Sequence, residues 1–122
     1  MNTTWKAIVG LPGVVFVAIG LIWLVAPGFA ASQLGMTLLT GVGLSTQIGD
    51  LASFFLVMGG SILIALYTGQ RVWLYPPVML LGFAAFGRVV AWAIHGAAFA
   101  IDMIAVEVIV AVLLFMASKK LA

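Results

Sequence analysis

Cysteine is absent from this chain, and charge nearly so. Its 122 residues carry five Lys or Arg, three Asp or Glu and one His. Without cysteine there is no disulfide, no thiolate nucleophile and no Cys-ligated metal or iron–sulfur cluster. Charged side chains make up 7% of the chain, where soluble domains carry about a quarter. From Ala7 to Gly49 there is no Lys, Arg, Asp or Glu at all, so a water-soluble fold is excluded for want of charged surface. The few basic residues are dispersed, which excludes a nucleic-acid partner. Gly41-Val-Gly43 lacks the third glycine and the preceding strand of a dinucleotide fingerprint, and no phosphate loop occurs. Nothing resembles a nucleophile elbow for the sole histidine to serve. No catalytic residue, resident metal or cofactor is expected, and an enzyme is not.

What the chain has instead is apolar length, with 66% hydrophobic residues. Four segments are long enough to span a hydrocarbon core. They run at about residues 7–26, 46–67, 72–95 and 98–117 and define one domain over residues 1–122, an all-α four-transmembrane-helix bundle. Segment one is longer than a signal-peptide h-region and is read as a retained helix. Pro12 leaves the Ile8 carbonyl without its helical donor and predicts a local kink. Gly10, Gly13 and Gly20, with Gly59-Gly60 in segment two, point to close helix–helix approach. Ser45 is the expected N-cap of segment two, which places Asp50, Ser53, Val57 and Ser61 on one face. Pro76-Pro77 fall in the first turn of segment three, where missing amide donors matter least. Between the first two spans, Pro27 is expected to open a short helix and Gly35 to close it. Phe29, Leu34 and Met36 then face lipid, and this interfacial segment is either a resting loop or a lid. Phe16-Val-Ala-Ile-Gly20 resembles Phe83-Ala-Ala-Phe-Gly87, a faint trace of two duplicated hairpins or of chance.

Four spans place both termini and the second loop on one side. Lys6, Arg71, Lys119 and Lys120 all fall there, while the first and third loops have no Lys or Arg. The positive-inside rule therefore predicts both ends in the cytoplasm of a bacterial inner membrane. Trp5, Tyr67, Trp73 and Tyr75 fit an inner aromatic belt, and Trp23 and Trp92 an outer one.

The chemistry concentrates in Gly82–Glu107, which holds Arg88, His95, Asp102 and Glu107. If the hairpin turns near Gly96-Ala97, Arg88 and Glu107 each lie roughly 12–15 Å from the turn along their helices. That depth is near the middle of a ~30 Å core. An ion pair is expected there, because a lone charge at that depth costs roughly 3 kcal/mol or more. The pair is either a lock between two helices or a site where Glu107 exchanges a proton or Arg88 holds an anionic head group. Arg88, Ala91, Trp92 and His95 form one stripe at helical spacing. Asp50, His95 and Asp102 join the constellation toward the outer leaflet, although no spacing motif makes them a metal site. Asp102 and Glu107 are five apart, roughly 140° around a helix, and do not form a carboxylate dyad.

Ala26-Pro27, Gly59-Gly60, Phe86-Gly87-Arg88 and Glu107 resemble residues of the DoxX-like proteins and related small bacterial membrane families of unknown function. The resemblance implies a four-helix membrane fold and, from members associated with quinone-linked redox enzymes, an accessory role. Three functions follow as expectations. The first is a non-enzymatic accessory subunit or lipophile-binding module. The second is an oligomeric proton-coupled carrier using Glu107, and the third a quinone-linked redox component. The partners expected are the bilayer, a larger membrane complex or a second copy, and a lipid, quinone or other lipophile.

Overall fold

Asn2 starts the first helix. Its side-chain oxygen accepts a hydrogen bond from the Trp5 amide at 2.9 Å, so α1 runs Thr3–Val25 rather than beginning at residue 7. The cap, not the apolar boundary, decides where the helix begins. The computed structural model describes residues 1–122, with no β-strand. Four further helices follow: α2 Pro27–Gln33, α3 Gly41–Thr68, α4 Tyr75–His95 and α5 Ile101–Ser118. Four stretches are long and apolar enough to cross a membrane: α1, α3, α5, and α4 together with the turn before it.

α2 has the expected punctuation. Pro27 occupies its first turn, and Gly35, at φ 69°, ends it in the left-handed region. The Gly35 and Met36 amides reach back to the Ser32 and Ala31 carbonyls. The second span departs from expectation, for α3 starts at Gly41 with Thr40 as N-cap, and Ser45 lies inside it. The residue that organises this entry is Gln47. Its Oε1 accepts from the Leu39 amide at 3.0 Å, and its Nε2 donates to the Thr37 carbonyl at 3.1 Å. One buried amide thus clamps the end of the linker onto the first turns of α3. Gln47→Leu should strand both backbone groups, at about 1–3 kcal/mol. Hydrogen exchange at residues 36–41 should accelerate while the centre of α3 stays protected. Unchanged exchange across the linker would show the clamp to be dispensable.

Arg71–Leu74 is a 3-10 turn, and α-helix begins only at Tyr75, so the expected span 72–95 is shortened at its start. Pro76 and Pro77 have no N–H to give the Val72 and Trp73 carbonyls, so this turn cannot close as α. α4 ends at Gly96, with φ 72°, and the Gly96 and Ala97 amides both reach the Ala91 carbonyl. Residues 97–100 are outside regular secondary structure, with Phe99 packed on Trp92 at 4.9 Å between ring centroids. α5 therefore starts at Ile101, three residues later than expected.

The helices form two hairpins, with α1 packed most extensively on α3 and α4 on α5. The first is a close approach made by glycine. A methyl group at Gly59 would lie 2.5 Å from the Gly13 carbonyl oxygen and 2.6 Å from the Val17 amide nitrogen. At Gly20 it would strike Leu56. Gly60, by contrast, faces open space, so only one glycine of that pair makes the contact. α1 continues as helix through Pro12. At the end carrying both termini, Val9, Ile62, Leu74, Leu114 and Ala117 are fully buried and join the two hairpins. The last residue closes that end, because the Ala122 amide donates to the Gly69 carbonyl and its own carbonyl accepts from the Arg71 amide. Lys120 lies over the Trp5 ring, 4.8 Å from its centroid.

Two expectations about faces are corrected. Trp23 is fully buried beside Ala30 and Ala31 of α2 in the core, not in an interfacial belt. Its Nε1 has no hydrogen-bond partner. The buried face of α3 runs through Ala52, Phe55, Met58, Gly59 and Ile62, which turns Asp50, Ser53 and Val57 outward, all exposed, while Ser61 of the same expected face is buried. The duplication trace is not matched by packing: Gly20 is pressed on Leu56, whereas its counterpart Gly87 meets open space.

Candidate functional site

Away from the terminal end the two hairpins separate, and a cleft of about 630 Å³ opens between them. One wall is α1 and α3, with Phe16, Leu51, Phe54 and Phe55. The opposite wall is α4 and α5, with Ala84, Gly87, Met103 and Val106. Gln33 and Leu34, at the end of α2, border it. Leu34 thus faces the cleft and not the outside, while Phe29 and Met36 are exposed as expected. Of residues 27–49 only Gln33 and Leu34 line the cleft.

The polar element of this apolar space is the Arg88–Glu107 pair. Arg88 Nε donates to Glu107 Oε1 at 2.9 Å. Glu107 is largely buried, and the Arg88 side chain is 35% exposed, along the cleft. Both residues take their positions from helices that the sequence already delimits. Arg88 is seven residues before the end of α4 and Glu107 six after the start of α5. That is about 9–10 Å along each helix at ~1.5 Å per residue. The pair therefore sits roughly a third of the way in from the α4–α5 loop rather than midway. For Glu107 the reason is the late start of α5 after the non-helical residues 97–100.

The contact is made through one edge of the guanidinium. Arg88 has no other hydrogen bond within the protein, so both its Nη groups are without a protein partner. Glu107 uses only Oε1, and Oε2 is neither bonded nor sealed from the cleft. A bidentate pair would have used Oε2 and one Nη donor as well. This one leaves donors and an acceptor side by side on an apolar wall.

Of the six residues singled out from the sequence, three meet here: Arg88, Glu107 and Asp102, the last in the first turn of α5 on the cleft rim. Three do not. Asp50 points outward from α3. His95 is exposed at the end of α4, and Trp92 is half exposed against Phe99. The constellation is smaller than expected because α4 presents only part of its stripe, Arg88 and Ala91, to the cleft. No three His, Asp or Glu side chains are grouped to hold a metal ion. Sequence reasoning missed the aromatic wall, Phe16, Phe54 and Phe55, whose rings pack together with Phe54 edge-on to Phe55 at 5.1 Å. The signal was present in the adjacent pair Phe54-Phe55, which must turn one ring to each of two neighbouring directions. Comparison with protein-family models, with curated proteins and with solved structures gives no match.

Proposed function

We propose that this chain is a four-span protein of a bacterial cytoplasmic membrane that binds a lipophilic small molecule between its two hairpins, as a non-enzymatic subunit of a larger assembly. The observation that carries the reading is the one-ended cleft. Its size and composition suit a ligand, mostly apolar with a few convergent polar groups. Beneath it, Ile62, Leu74, Leu114 and Ala117 fill the space between the hairpins. Of the residues that carry the DoxX-like resemblance in spans three and four, Gly87, Arg88 and Glu107 line the cleft, while Phe86 is exposed on the outside. Large apolar side chains such as Leu11, Val25, Phe83 and Ile109 are exposed around the bundle, a surface that lipid covers at no cost and water does not.

Gly87→Leu tests binding directly. A Cβ at Gly87 meets no neighbour and the residue lines the cleft, so the variant should keep the fold and occupy the cleft itself. Native mass spectrometry from native-membrane extracts should show a lipophile bound to the wild type and lost from Gly87→Leu at unchanged thermal stability. Equal lipophile content in both proteins would remove the binding role.

Orientation rests on the basic residues Lys6, Arg71, Lys119 and Lys120. Single cysteines at the exposed positions Thr3 and Ala122 should be shielded from an impermeant thiol reagent in intact cells, and one at exposed Thr40 should label. Labelling of all three alike would overturn the four-span topology.

A further inference from the structure

We infer that the cleft selects an uncharged lipophile whose polar head carries a carbonyl beside a hydroxyl, the carbonyl taken by Arg88 and the hydroxyl by Glu107. The inference rests on the cleft-binding reading and adds the chemical class of the occupant. It starts from the way the ion pair is made. A guanidinium has five N–H donors. Arg88, which lines the cleft, spends the Nε–H on Glu107 and leaves both Nη groups without a protein partner. In an apolar space each such donor gains from an acceptor, and hydrogen bonds to charged groups are the strong ones. Glu107 Oε2, accepting only, stands beside them. The site therefore offers donors and an acceptor at adjacent points, which matches a head that accepts at one atom and donates at the next.

Charge excludes the alternatives. Arg88 is already neutralised by Glu107 at 2.9 Å. An anionic head would meet the Glu107 carboxylate beside a guanidinium that is already paired. A cationic head would have to lie against the unpartnered Nη groups to reach Glu107, while Asp102 is exposed at the rim, where solvent screens it. Like-charge contact costs affinity in either case. An uncharged head takes the hydrogen bonds without that penalty. The remaining cleft, with Phe16, Phe54, Leu51, Met103 and Val106, suits a hydrocarbon tail.

The test is a competition in nanodiscs of uncharged lipid, read by native mass spectrometry. Three additives sharing a hexadecyl-length tail are supplied in equal amounts: hexadecanoylglycerol, hexadecyl phosphate and hexadecyltrimethylammonium. The wild type should hold the acylglycerol in preference to either charged compound by on the order of tenfold, the worth of one charge-assisted hydrogen bond. Gly87→Leu should lose all three. The double variant Arg88→Met/Glu107→Leu keeps an apolar cleft of similar size and should lose the preference between heads. A wild-type preference for the phosphate or the ammonium compound would overturn this inference and leave cleft binding intact. Retention of the acylglycerol preference in the double variant would also overturn it. Binding that is insensitive to Gly87→Leu would instead remove the cleft as the site.

Discussion

Glu107→Leu should cost the bundle about 3 kcal/mol, Arg88→Met somewhat less, and the two together less than Glu107→Leu alone. Removing one partner of a buried ion pair leaves an uncompensated charge, which costs about 3–5 kcal/mol when burial is complete. Arg88 is about one-third exposed along the cleft, so the lower end applies. The asymmetry comes from chemistry. A carboxyl group has a neutral form to fall back on, and a guanidinium has none. Two apolar side chains in place of the pair restore a compatible contact between α4 and α5, and such replacements are often neutral or better. The thermal stability of all four proteins in one detergent gives the cycle, with a coupling energy of about 1–3 kcal/mol expected for residues in contact. Strictly additive losses would show that Arg88 and Glu107 do not support one another.

The second large effect is expected at Gly59. Here the α1 and α3 backbones approach so closely that the Gly13 carbonyl and Val17 amide occupy the space of any side chain. Backbone cannot swing aside as a flexible side chain can. Gly59→Val should therefore force the helices of the first hairpin apart, at about 3 kcal/mol or more, the upper range for overpacking. Gly60→Val, one position on, meets open space and should change stability by about 0.5 kcal/mol or less, as surface substitutions do. The paired measurement removes propensity as an explanation, because glycine is lost from α3 in both. Equal losses at Gly59 and Gly60 would mean that the contact with α1 is not tight. Separation of the first hairpin would also move Phe16 and Phe55 apart and weaken one wall of the cleft.

The parts of this structure that were legible in the sequence are those with a local physical cause. Pro27 and Gly35 delimit α2 because one has the right φ for a first turn and the other tolerates the left-handed stop. Arg88 finds Glu107 because no other acid lies at a matching distance across the turn at Gly96. What was not legible is which side of each helix faces inward. On a chain this apolar, both faces of α3 look alike to a pattern of hydrophobicity. Asp50 and Trp23 were consequently assigned by depth alone, and the packing turned the first outward and buried the second. Gln47 escaped for a related reason. Its function is fixed by the Thr37 and Leu39 backbone, which carries no sequence signature. The depth of the ion pair shifted because Phe99 reaches back to Trp92 and delays the start of α5, a tertiary contact that overrides the apolar run from Ala97.

Occupancy of the cleft is tested most directly by an acylglycerol with a diazirine in its tail, photolysed on the protein in nanodiscs and mapped by peptide mass spectrometry. Saturable labelling is expected on Phe54 and Met103, inside the cleft, and it should disappear in Gly87→Leu. Labelling confined to outward-facing residues such as Phe83 and Ile109, with none at Phe54 or Met103, would contradict a ligand between the hairpins.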